Sequence, residues 1–164
     1  MDITTIIIGI IIILCAALPI ILTNYFRKRR EKLALQGIQN LAEKSGEELE
    51  NYEIGMVFSI GMDKSHRNLY FLHLGESALQ VQLSKIKNST TINKSHDIKT
   101  AEGNHSVIDL IGIQINMKDE AQTPAILEFF NAEKDSISVD NESHIAEQWS
   151  RLINKQVGNS ASKR

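Results

Sequence analysis

The sequence predicts an α+β protein with four parts. They are an N-terminal transmembrane helix, a connecting helix, an antiparallel β-sandwich or barrel of six or seven strands, and a C-terminal α-helix that caps it. Three observations carry this. An uncharged apolar run extends from Ile3 to Leu22. The hydrophobic period then shifts from near four to near two at Glu53. A single amphipathic stretch around Trp149 closes the chain.

The apolar run, ITTIIIGIIIILCAALPIIL, has the length of about 20 residues that a helix needs to cross a bilayer's hydrocarbon core. A central Ile or Leu favours insertion by roughly 0.3 to 0.6 kcal/mol, whereas a central Arg or Lys opposes it by about 2.5 to 3.5. Arg27, Lys28, Arg29 and Arg30 follow the run, and only Met1 and Asp2 precede it. The positive-inside rule therefore puts the N-terminus outside and the rest of the chain in the cytoplasm. Tyr25 and Phe26 fall where interfacial aromatics sit, and Pro19 lies near the end of the span. A cleaved signal peptide would need positive charge before the apolar core. A lipoprotein signal at Cys15 would want a small residue where Leu14 stands. The span holds Gly9 but no second glycine at helix-packing spacing.

The expected organisation is an anchor over residues 1–26, a basic juxtamembrane segment and connecting helix over 27–50, a β domain over 51–158 and a flexible tail over 159–164. Without residues 1–30 the chain has 14 Lys and Arg against 19 Asp and Glu, a net charge of −5. Such an acidic domain argues against nucleic acid as a partner, because phosphate binding needs a basic surface. The one cysteine, Cys15, lies inside the span, so neither a disulfide framework nor a thiolate metal site is expected.

In the connecting segment, Leu35, Ile38, Leu41 and Ala42 recur at helical steps, and Gly46 marks a break. The β reading starts with one strand over 53–62, a turn at 63–66 and a second strand over 67–74. A third strand is expected over 78–83 and a fourth over 86–92, with Lys85 and Lys87 on one side of it. The polar residues 95–106 read as an exposed loop. Residues 107–117 form the longest strand, 125–131 return antiparallel after Pro124, and 137–139 give a marginal last strand. Asp140 or Asn141 suits an N-cap. Ile145, Trp149, Leu152 and Ile153 share one helical face, and Gly158 is the expected stop. Trp149, the only tryptophan, is the expected core anchor.

Six or seven antiparallel strands followed by one amphipathic helix resemble the pleckstrin-homology-like (PH-like) fold. The segments IGMDKSHRNLYFL (60–72), LSKIK (83–87) and AEQWSRLINK (146–155) resemble those of a group of small bacterial membrane-anchored proteins of this type. The resemblance covers roughly residues 53–157. It implies a bent two-sheet sandwich plugged by the last helix, at the inner face of a bacterial cell membrane. Basic residues about the first hairpin grip phosphorylated head groups in lipid-binding members of this fold. Lys64 and Arg67 stand at the corresponding turn here, with Lys85 and Lys87 further on.

Catalytic signatures do not emerge. His66, His73, His96, His105 and His144 lack helical metal-ligand spacing, and no glycine-rich phosphate loop or nucleophile elbow appears. A loose metal site drawn from His96, His105 and Asp97 is conceivable, and Asp109 is an acid inside an apolar strand. The reading is of a membrane-tethered, cofactor-free, non-enzymatic adaptor that binds a protein, with anionic-lipid binding as the alternative. The protein would be reached by adding a strand to a sheet edge or in a groove beside the last helix.

Overall fold

The computed structural model describes residues 3–100, 103–135 and 139–162; side chains are described from Ala17 on, except at residues 20, 100 and 160–162. The chain packs as two units, residues 1–33 and 34–164. Helix α1 runs without interruption over Ile3–Lys44, with Pro19 inside it. Most of the Ile3 to Leu22 side chains therefore lie outside the described residues. Among the described residues no helix is long and apolar enough to cross a membrane. From Leu18 to Phe26 the described apolar side chains Leu18, Ile21, Leu22, Tyr25 and Phe26 are all exposed.

The expected connecting helix over 27–50 is the second half of this same helix, and it stops earlier. Gly46 takes a positive φ of 71°. The Glu47 N–H donates to the Ala42 carbonyl and the Gly46 N–H to the Glu43 carbonyl, both at 2.9 Å. This is a Schellman ending, in which a residue in the left-handed region satisfies the last orphan carbonyls. Leu49 and Glu50 already belong to a strand.

The sandwich has two antiparallel sheets. The first is ordered β1-β2-β3-β4, from strands Leu49–Ile54, Phe58–Asp63, Asn68–His73 and Leu79–Gln82. The second is ordered β5-β6-β7, from Ile86–Thr100, Gly103–Met117 and Ala125–Asn131. A 3-10 turn, Leu83–Lys85, joins them, and helix α2, Glu142–Ser162, closes the fold. Their inner faces meet in one core, where Phe129 packs against Phe58 and Phe71 with ring centroids 4.3 and 5.6 Å away. Ala146, Trp149, Ile153 and Val157 of α2 seal it.

Four sequence expectations need correction. The strand expected over 53–62 is two strands, because the chain reverses at Gly55, whose N–H donates to the Phe58 carbonyl at 2.9 Å. A Cβ on Gly55 would clash with the Phe58 ring, so a larger residue there would have to displace that ring from the core. The polar stretch 95–106 is not a loop. The β5–β6 pairing continues to Thr100 opposite Gly103, as a ribbon exposed on nearly every residue. Helix α2 passes through Gly158 to Ser162, so the expected tail is largely helical. Glycine inside a helix costs only about 0.5–1 kcal/mol relative to alanine, which a helix anchored by Trp149 and Val157 absorbs. Lys85 and Lys87 do not share one strand: Lys85 ends the 3-10 turn, and Lys87 sits at a register shift in β5. The marginal strand at 137–139 lies mostly outside the described residues.

The burial of β2 and β3 departs from simple alternation, since every residue of β2 is buried. The 34–44 portion of α1 covers the outer face of the first sheet. Ile38 and Ala42 pack on Tyr70, with Leu35, Leu41, Leu49 and Leu72 around them. The Ser59 hydroxyl also donates to the Ala34 carbonyl at 3.4 Å. The first sheet is thus sandwiched between α1 and the main core.

Candidate functional site

The cover over the first sheet is incomplete, and the gap forms an open concavity. Outward-facing residues of β3 and β4 pair across the strands, Tyr70 with Gln80 and Asn68 with Gln82. Tyr70 lies under α1, but Asn68, Gln80 and Gln82 extend beyond it and floor an open cleft of about 430 Å³. Its walls are Ser45 and Glu47 after the helix, His66 and Arg67 in the β2–β3 turn, and Ser84.

The wall depends on one buried carboxylate. Asp63, 0% exposed, accepts from the Arg67 N–H at 2.7 Å, the Asn68 N–H at 3.0 Å and the Asn68 side-chain amide at 2.7 Å. These bonds close the hairpin and allow His66 its positive φ of 51°. The Arg67 guanidinium is directed onto Glu47, and its Nε also donates to Ser65 Oγ at 3.0 Å. Gln80 Nε2 donates to Ser45 Oγ at 3.0 Å and Asn68 Oδ1 at 3.3 Å, tying floor to wall. Burial pushes the Tyr70 hydroxyl above the usual phenol range, and Asp63 and Glu47 reinforce this against the opposing influence of Ser45 and Asn68. The cleft is therefore an array of amides and hydroxyls with one cation already neutralised, a surface suited to hydrogen-bonded recognition.

The four candidate basic residues are not gathered around one ligand position. Arg67 lines this cleft; Lys64 is in the same turn, where its backbone N–H donates to the Glu48 carbonyl at 2.8 Å. Lys85 follows Ser84, while Lys87 pairs with Glu120 at 3.3 Å beside a separate, more open depression. Of the topology cluster, Arg27 pairs with Glu31 at 2.9 Å, and Lys28, Arg29 and Arg30 are exposed on α1. Trp149 is buried in the core. Sequence reasoning missed Asp63, Asn68, Gln80 and Gln82. The i, i+2 spacing of Gln80 and Gln82 on a strand was the available signal, because it puts both amides on one face.

The groove beside the C-terminal helix is bridged. Asn154 acts as a surrogate strand: its amide oxygen accepts from the Ser89 N–H at 2.7 Å and its nitrogen donates to the Ser89 carbonyl at 2.8 Å. Ser89 Oγ also donates to the Ser150 carbonyl at 3.0 Å. Here the β5 edge is occupied by α2 itself.

A second titratable group lies at the opposite end of the first sheet. His73 and Asp135 are both buried, with Nε2 and Oδ1 3.5 Å apart. Lys134 bridges Glu76 at 2.6 Å and Glu128 at 2.7 Å. Burial alone would raise the Glu128 carboxyl, but Lys134 and Asn131 outweigh it and hold the group below the ordinary range. A carboxyl lowered in the folded state contributes stability above its unfolded pKa, and the contribution is lost as pH falls through the folded one. The thermal unfolding midpoint of the wild type should therefore fall as pH drops through and below the ordinary carboxylate range, and Lys134→Met should flatten that slope. An equal slope in both proteins would remove Glu128 as its source. Further along, His96 Nδ1 lies 2.6 Å from Asp109 Oδ1. Among the described residues no group of three or more His, Cys, Asp or Glu is placed to hold a metal ion.

Compared with known proteins, the chain matches no family model, no curated protein and no solved structure.

Proposed function

We propose that this protein is a non-enzymatic interaction module tethered to a bacterial cell membrane by residues 3–22. In this reading its N-terminus is outside and a PH-like domain stands on the cytoplasmic side, where it binds a protein partner. The tether is supported by the length of the uncharged run and by the Arg27, Lys28, Arg29 and Arg30 flank. The PH-like assignment is supported by the order of elements: four antiparallel strands, three more, then a helix closing the core.

The observation that carries the binding reading is the amide-floored cleft over β3 and β4. Among the described residues no side-chain partner competes for Gln82 and Ser84, and Asn68 and Gln80 are held in place by Asp63 and Ser45. Preset amides of this kind recognise peptide groups, which both donate and accept. Lipid head groups would require free cations, yet Arg67 is held by Glu47 and Lys87 by Glu120. The alternative keeps Lys64 and Lys85, which form no ion pair among the described residues, as contacts for anionic lipid.

A photo-crosslinking residue at Gln82 of the full-length protein, in its own membrane, separates the two. A discrete protein adduct is expected, lost with Gln80→Ala and absent when the probe is at Glu147 on α2. Binding of the purified protein to anionic vesicles, abolished by Lys64→Glu and Lys85→Glu with no protein adduct at Gln82, would replace this reading with the lipid one.

A further inference from the structure

We infer that residues 104–108 of β6 form a homodimerisation edge, through which two copies of the chain pair antiparallel about a two-fold axis. The three-stranded sheet is uneven. Strand β7 ends with Asn131 opposite Leu110, and the last bond on that side runs from the Ala132 N–H to the Asp109 carbonyl at 2.8 Å. Strand β6 extends six residues further, to Gly103, paired with β5 throughout. Over 104–108 the side of β6 facing away from β5 has no strand beside it among the described residues. Its alternate N–H and C=O groups are a ready template for another strand.

Folded proteins usually guard such an edge with charge, proline or brevity, and the other edges of this fold are guarded. Strand β1 carries Glu50 and Glu53, and β5 carries Lys87, Lys94, Asp97 and Lys99. Strand β7 follows Pro124 and contains Glu128, and β4 is only four residues long. The β6 overhang reads Asn-His-Ser-Val-Ile, with no Asp, Glu, Lys, Arg or Pro.

That composition selects the occupant. An acidic or basic strand finds no opposite charge here, whereas an identical uncharged edge meets no repulsion. The side chains agree. His96 opposes Val107 and Ile98 opposes His105, so these four share one face, and Ile98 and Val107 are 42% and 37% exposed. In an antiparallel pair of identical edges, opposed residues must point the same way, so one residue faces itself on the axis. With Ser106 there, the centre of the overhang, Val107 opposes His105 of the other copy. The two faces then merge into one strip that shields both valines. Five residues a side bury less than the roughly 1,200 Å² of a standard stable interface, so the dimer is weak and concentration-dependent.

Cysteine crosslinking tests this on the full-length chain in mild detergent, with Cys15→Ser removing the only native thiol. Either kind of antiparallel pair brings opposed Cα atoms to about 4.5–5.5 Å, within disulfide reach. Under copper phenanthroline, Ser106→Cys should give a covalent dimer at twice 18.4 kDa, and Glu147→Cys on α2 should give far less. Adding Val107→Lys should cut the dimer at least about tenfold while leaving the thermal unfolding curve in place, as an exposed substitution should. Equal crosslinking at residues 106 and 147, or indifference to Val107→Lys, overturns the proposal. An adduct of any other mass, formed from Ser106→Cys in whole membranes, assigns the edge to a different protein and overturns it as well.

Discussion

Trp149→Ala should destabilise the domain by about 3–5 kcal/mol, as truncation of a large buried aromatic does when the core cannot collapse around the hole. Trp149 is 6% exposed and stands on the α2 face buried in the core, with Ala146, Ile153 and Val157 in the same cluster. Little slack is available to refill the space, because Trp149 belongs to one continuous buried cluster with residues of the second sheet such as Ile111, Ile113, Ile115 and Leu127. Domains of this size are stable by only about 5–15 kcal/mol, so the loss is a substantial part of that margin. The measurement is urea unfolding of full-length protein in mild detergent, followed by far-ultraviolet circular dichroism, since the substitution removes the sole tryptophan fluorophore. Trp149→Phe should lose clearly less, because it retains an aromatic ring and leaves a smaller cavity. Equal midpoints for wild type and Trp149→Ala would mean that α2 does not close the core as a single cooperative unit.

That residue was legible in the sequence because helix amphipathicity survives at every level: Ile145, Trp149, Leu152 and Ile153 recur on one face whatever they pack against. The β regions are legible where turn residues bound them: β3, expected over 67–74, runs over Asn68–His73 although it is buried almost throughout. Strand β7 was read with its observed limits, since Pro124 and the Asn131 turn bound it on both sides. The stretch 95–106 reads as a loop because a two-stranded ribbon wet on both faces has no alternation to show, and polarity then mimics a turn. The opposite failure occurred at β2. A helix covers its outer face, so its residues are buried throughout, and the reversal at Gly55 was hidden inside one continuous apolar run. The polar cleft was illegible for a related reason. Its floor exists only because α1 covers Tyr70 and stops short of Gln82, an outcome of tertiary packing with no local signature.

The cleft also sets the second large effect. Asp63→Ala should cost about 3 kcal/mol or more, although Asp63 touches none of the apolar core by design of its strand. Its carboxylate is fully buried and accepts three N–H donors within 3.0 Å, two from the backbone and one from Asn68. Removing a charged acceptor leaves each donor desolvated and unpaired, and each orphan costs about 1–3 kcal/mol unless water enters. The nearby cleft is open to solvent, which brings the expected cost from the sum of three orphans toward a single strong one. Asp63→Asn keeps the shape and one oxygen, which can still accept from both Asn68 donors, but turns an amide donor toward the Arg67 N–H, so it should fall between wild type and alanine. The hairpin and the cleft share this residue. Asp63→Asn should therefore also weaken the Gln82 crosslink at temperatures where circular dichroism still reports a folded domain. A crosslink that persists undiminished in folded Asp63→Asn would show that the partner reads β4 alone, without the 63–67 wall. A crosslink lost only as the domain melts would make Asp63 a residue of stability and leave recognition to Gln80 and Gln82.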